Sequence, residues 1–285
     1  MGGERSAGSS PVMDYAFESG DLVLSGHLAE PGLHSANPPG LVLCHGFPTR
    51  GRESAQSGIS FPELANRIAG ELGWLVLTMN FRGCGKAEGQ FSLQGWLDDV
   101  AAAVAHVDEL GAAGVWLAGY GTGGSLAVVE GARNPVVRGV AAMATPSDFD
   151  DWAKHPRRLL LHARQVQVIK DPDFPSNFDQ WAAQLRSVRP LVAAAELAPR
   201  PLLVMHGDRD DLTPLDNSLA IAESHGNAEL RVLSGAGHEL RHDPRAVAMF
   251  MGWLRRQRIA SETVTADELA GDGSPDTDQD DAAET

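Results

Sequence analysis

Residues 119–123 read Gly119-Tyr120-Gly121-Thr122-Gly123, after a short apolar run from Val115 to Ala118 and before a stretch of helical character. A glycine-flanked turn between a strand and a helix can hold one side chain on an exposed, strained corner, the place where a nucleophilic serine meets its substrate. The central residue here is Gly121, so the corner lacks the hydroxyl that covalent attack needs. The groups that would activate such a hydroxyl follow later in the chain. Asp208, Asp210 and Asp211 cluster in one segment, and His238 follows Gly235-Ala236-Gly237. A carboxylate that holds an imidazole in one tautomer makes that ring a general base. The sequence therefore carries the parts of a base around a missing nucleophile.

These residues must be positioned by a fold, and 285 residues with 43% hydrophobic content are enough for one α/β domain with a full core. The net charge of −15 is uneven: Ser261–Thr285 holds nine acidic residues and no Lys or Arg, which leaves −15 + 9 = −6 for the rest. A mildly acidic body argues against nucleic acid as a partner. The stretch 259–285 has no aromatic residue and is expected to be an acidic disordered tail, and residues 1–12 a flexible N-terminus. Two cysteines, Cys44 and Cys84, are too few for a disulfide framework. There is no apolar run of membrane-spanning length and no signal-peptide pattern, so a cytoplasmic protein without a membrane partner is expected. His106, His155 and His162 have no ligand spacing, and neither metal nor cofactor is expected.

Apolar runs alternate with helical stretches. Residues 13–17 and 22–28 read as an opening antiparallel pair, and 41–44, 74–79, 115–118, 136–144, 202–205 and 230–233 as further strands. Helical spacing covers 61–72, 96–110, 122–131, 215–224 and 244–258, with Asp98 and Asp99 near the positive end of the second of these. Continuous apolar strands separated by helices predict an open, mostly parallel sheet. The stretch 146–199 shows no strand and concentrates Trp152, Phe174, Phe178 and Trp181 among prolines, which predicts an inserted helical cap.

Four motifs in order resemble the α/β-hydrolase superfamily over about residues 13–258. They are Leu41-Val42-Leu43-Cys44-His45-Gly46-Phe47-Pro48, then Asn80-Phe81-Arg82-Gly83-Cys84-Gly85, then the Gly119–Gly123 turn, and last His206-Gly207-Asp208-Arg209-Asp210 with His238. The resemblance implies the α/β-hydrolase fold, with a mostly parallel eight-stranded sheet and an inserted cap. It also implies the order nucleophile, acid, histidine, which puts Gly121 at the nucleophile position, Asp210 as acid and His238 as base. Asp208, Asp211 and the more distant Asp148 compete with Asp210. Backbone N–H groups of Phe47 and Thr122 would form the oxyanion site, with Tyr120 lining it.

Several residues also have plain structural readings. His45 fits a loop histidine bonded to backbone, Cys44 and Cys84 fit small buried packing, and Ser125 fits a hydroxyl that packs or bonds back to its own helix. Glycine suits a positive-φ corner better than serine, so Gly121 leaves the fold intact. Three functions follow. One is a non-hydrolytic protein that binds a small apolar or carbonyl-containing ligand or a protein partner, similar to the N-myc downstream-regulated proteins, which also carry glycine there. The second is a serine-independent hydrolase or lyase using Asp210–His238, and the third a subunit paired with an active homologue.

Overall fold

Each interior strand is a nearly unbroken apolar run, so it can be covered on both faces, which is the condition for a parallel sheet under helices. The structure, a computed structural model, describes residues 15–32, 37–49 and 53–271. Its eight-stranded sheet runs β1-β2-β4-β3-β5-β6-β7-β8. The strands are β1 (Tyr15–Ser19), β2 (Leu22–Ala29), β3 (Gly40–Cys44), β4 (Leu75–Met79), β5 (Val115–Tyr120), β6 (Val137–Met143), β7 (Leu202–Gly207) and β8 (Glu229–Leu233). The β1–β2 and β2–β4 pairings are antiparallel and the other five are parallel. This is the α/β-hydrolase fold that the motif order implied.

Helices cover both faces. On one side α1 (Glu53–Leu72) and α9 (Pro244–Gly271) bury Ile68, Trp74, Phe250 and Trp253 against the sheet. On the other, α2 (Leu93–Glu109), α3 (Thr122–Arg133) and α8 (Leu215–His225) enclose Trp96, Val100, Leu126 and Ile221. Helix α1 begins eight residues before the apolar spacing indicated, because apart from Ile59 its first two turns are polar or small. Helix α9 continues to Gly271, past the boundary expected at Arg258. The sequence expectations for residues 1–14 and 272–285 lie outside the described residues.

Between β6 and β7 the chain forms α4 (Asp150–Lys154), α5 (Pro156–Gln165), α6 (Phe178–Ala183) and α7 (Pro190–Leu197), with no strand among its described residues. Helix α7 packs on α3 and α8, so it belongs to the layer beside the sheet. Helices α4, α5 and α6 make up the rest of the stretch 146–199 that was expected to be a cap.

Asp99 differs from its expected part as a helix-end charge. It is fully buried and accepts from Ser19 Oγ at 2.8 Å, from the Arg82 backbone N–H at 2.9 Å and from Arg82 Nη2 at 2.6 Å. Trp96 Nε1 donates to the Arg82 carbonyl at 3.1 Å. The loop after β4 is thus pinned through one carboxylate and one indole.

Candidate active site

Strand β5 ends in a turn whose glycines have different reasons to be there. A Cβ on Gly119 would collide with the Gly123 backbone, and one on Gly123 with the carbonyls of Cys44 and His45. These two residues let β5, α3 and the β3 loop approach closely. Gly121 is under no such crowding. Its φ is +53°, a region L side chains rarely adopt, yet a Cβ there would have His238 Nε2 at 3.6 Å and Gly46 Cα at 3.7 Å. Backbone conformation alone favours glycine, and the space for a side chain remains.

His238 sits opposite that space. Its Nδ1–H donates to Asp210 Oδ2 at 2.8 Å, which leaves the Nε2 lone pair toward Gly121. Asp210 has no exposed side-chain surface. Burial alone would raise its pKa; hydrogen bonds from His206, His238 and the Thr213 N–H outweigh burial and hold the carboxyl well below the usual carboxylate range. Oδ1 accepts the Leu212 and Thr213 N–H groups, each at 2.9 Å. His206, also buried, lies 3.3 Å from Oδ2 through Nε2 while donating to the Thr213 carbonyl at 2.9 Å. Its Nδ1 accepts from Ser218 Oγ at 2.7 Å. The His206 contact was not read from sequence, although His206-Gly207-x-x-Asp210 held the signal.

None of the competing acids is hydrogen-bonded to His238. Asp208 accepts the Gly235 N–H at 2.6 Å in an exposed turn, Asp148 accepts the Asp150 N–H at 2.9 Å, and Asp211 is exposed. His45 is structural, as its loop position indicated. Its Nδ1–H donates to the Gly46 carbonyl at 2.7 Å and its Nε2 accepts from the Phe81 N–H at 3.3 Å. Burial pushes its pKa down to about 4. Burial also pushes both thiols, Cys44 and Cys84, far up, which suits packing and disfavours thiolate chemistry. Ser125 is fully buried, as the packing reading expected, but its hydroxyl bonds outside its own helix. Its hydroxyl donates to the Pro146 carbonyl at 2.7 Å and ties α3 to the loop that leads into the cap.

Phe47 and Thr122 border a cleft of about 400 Å³ with Gly121, His238 and the cap residues Phe149 and Trp152. The backbone N–H groups of Phe47 and Thr122 make no hydrogen bond among the described residues. The Phe47 ring stands 5.1 Å from Trp152, 4.9 Å from Phe91 and 5.8 Å from His162, an aromatic wall the sequence did not assemble. Tyr120 points away from this cleft: it packs on Phe61, 5.4 Å between rings, and lines a smaller cavity of about 40 Å³ beside His238.

The profile of the alpha/beta hydrolase family matches residues 41–250. The chain belongs to the alpha/beta hydrolase family. Within that family it is 27% identical over 212 residues to 2-hydroxymuconate semialdehyde hydrolase of Pseudomonas sp. (strain CF600), covering 61% of this chain and 73% of the relative. Among solved structures it is similar to Est1E from Butyrivibrio proteoclasticus with ferulic acid bound. The TM-score is 0.64 at 18% identity, over 87% of this chain and 99% of that one. It is also similar to proline iminopeptidase of Mycobacterium smegmatis, with TM-score 0.61 at 16% identity, over 87% and 99% of the two chains. The fold is therefore that of family hydrolases.

Proposed function

We propose that this member of the alpha/beta hydrolase family has lost covalent acyl transfer and uses the cleft beside Gly121 and His238 to bind a small apolar or carbonyl-containing ligand. One observation carries the reading. The base His238 faces, at 3.6 Å, the point where a nucleophile's Cβ would stand, and residue 121 supplies none. Removing the nucleophile of a Ser-His-Asp enzyme lowers turnover by roughly a million-fold, too much for a hydrolase to remain one by residual activity. Binding needs no nucleophile. The Phe47 and Thr122 N–H groups suit a carbonyl or carboxylate oxygen, with the start of α3 adding its positive end. The aromatic wall suits an apolar body.

A second reading is favoured by the retained Asp210–His238 pair, whose Nε2 has no partner among the described residues. In it a water occupies the space beside Gly121, and His238 takes its proton while it attacks an activated ester or related carbonyl. The relative named as a hydrolase supports an ancestry in which this pair served hydrolysis.

Turnover of short p-nitrophenyl esters, measured beside a His238→Ala variant, decides between them. Binding alone predicts no turnover above the variant. Turnover that disappears with His238 overturns the binding reading in favour of the water mechanism.

A further inference from the structure

The two lobes around His238 differ in their charged residues. Asp148 and Asp151 edge the lobe under the cap. The inner cavity is lined by Arg241, the one Lys or Arg at either lobe among the described residues, together with its partner Glu239. The Arg241 side chain is only 11% exposed. A guanidinium carries five N–H donors. Here Nη2 lies 2.5 Å from the Glu239 carboxylate, Nε is buried without an acceptor, and the group sits 5.9 Å over the Phe61 ring. Glu239 is a weak holder: its side chain is 45% exposed, and it also lies 3.6 Å from His242. A charge this buried and this poorly satisfied is costly unless something completes its partners.

A second donor faces the same space. Tyr120 lines the cavity, and its phenol, which packs by its ring on Phe61, has no hydrogen-bond partner among the described residues. Burial pushes its pKa far up, so it stays a protonated donor. His45, across the cavity, is spent: both ring nitrogens are bonded to backbone.

We propose that the inner cavity is a carboxylate subsite, in which Arg241 and the Tyr120 hydroxyl hold the acid group of a small monocarboxylate whose apolar body lies under the cap. This deepens the ligand-binding reading above and rests on it. Phe149 and Trp152 offer apolar surface in the outer lobe, where Asp148 disfavours an anion and Asp151 is already paired with Arg158, so the ligand has one orientation. A cavity of about 40 Å³ admits a group of a few heavy atoms, which a carboxylate is. The acid displaces Glu239 from Nη2 and gains the planar, charge-assisted geometry that guanidinium offers carboxylates.

Calorimetric titration with phenylacetate and with its neutral counterpart phenylacetamide tests the subsite. Wild-type protein should prefer the acid by about ten-fold or more, the scale of a hydrogen bond to a charged group. Arg241→Gln should erase the preference while keeping phenylacetamide binding, which also reports that the variant folds. Glu239→Gln, on the surface, should tighten phenylacetate and leave phenylacetamide unchanged. Equal binding of the two compounds, binding of neither, or a preference that survives Arg241→Gln overturns the proposal. If Arg241→Gln does not fold, unchanged phenylacetate affinity in Glu239→Gln overturns it alone. Failure of the binding-only reading looks different: His238-dependent ester turnover would appear, with phenylacetate still a better inhibitor than phenylacetamide.

Discussion

At residue 121 one hydroxymethyl group separates two chemistries. The glycine has φ +53° with open space beyond it, so Gly121→Ser adds backbone strain and no collision. The expected cost is about 1–3 kcal/mol of stability, read as a lower urea midpoint. The same substitution should bring labelling by a fluorophosphonate probe, because its Oγ would start from a Cβ 3.6 Å from the His238 Nε2. A folded Gly121→Ser protein that stays unlabelled would show that the N–H groups of Phe47 and Thr122 do not stabilise an oxyanion. Asp210 was legible as a candidate only beside its neighbours Asp208 and Asp211. What singles it out is the turn from Leu212 to Thr213, which feeds N–H groups to one oxygen while two histidines meet the other. No spacing rule contains that. Arg241 was unreadable for a related reason: its meaning arises only where the loops after β3, β4, β7 and β8 and the end of β5 meet around one cavity.

Among the elements, the parallel strands were legible because burial on both faces leaves an apolar signature, and the antiparallel opening pair because its spacing differs. The first turns of α1 and the far end of α9 carry no apolar period and were missed. The loop after β4 shows what local reading omits. Its motif residues Asn80 to Gly85 were visible, but the carboxylate that fixes them is on α2, seventeen residues from Arg82. Asp99→Ala would leave the Arg82 guanidinium, 18% exposed, without its partner. Loss of about 3 kcal/mol is expected, since breaking a buried pair strands a charge. Equilibrium urea unfolding measures it, and a change under 1 kcal/mol would mean the indole of Trp96 suffices to hold the loop. Ser125→Ala removes the tie from α3 to Pro146 and should cost about 1 kcal/mol in the same assay. An unchanged midpoint would mean that Pro146 keeps its place without that donor.

For the whole molecule, stability against pH should show two separate windows. His45 titrates near 6.5 unfolded and near 4 in the fold, because burial, helped by the nearby Arg241 charge, favours the neutral ring and outweighs the opposing bond to the Gly46 carbonyl. Between those values the unfolded chain binds more protons, so stability falls as pH drops from about 6.5 toward 4, by roughly 3 kcal/mol in all. Asp210 acts lower. Its carboxyl is held below the usual range, so its contribution is present above about pH 4 and is lost as the pH falls further. Urea midpoints at pH 7.5 and 4.5 should differ strongly in wild-type protein and little in His45→Gln. An equal drop in both would assign the loss to other groups.

The empty volume beside Gly121 opens onto the cleft, so the site is also a socket for a guest. A small nucleophile added to the solvent, such as hydroxylamine, would lodge where the hydroxymethyl group is absent, with His238 as its proton acceptor. Cleavage of an ester that needs both hydroxylamine and His238 would mark this space as one that a solute can fill.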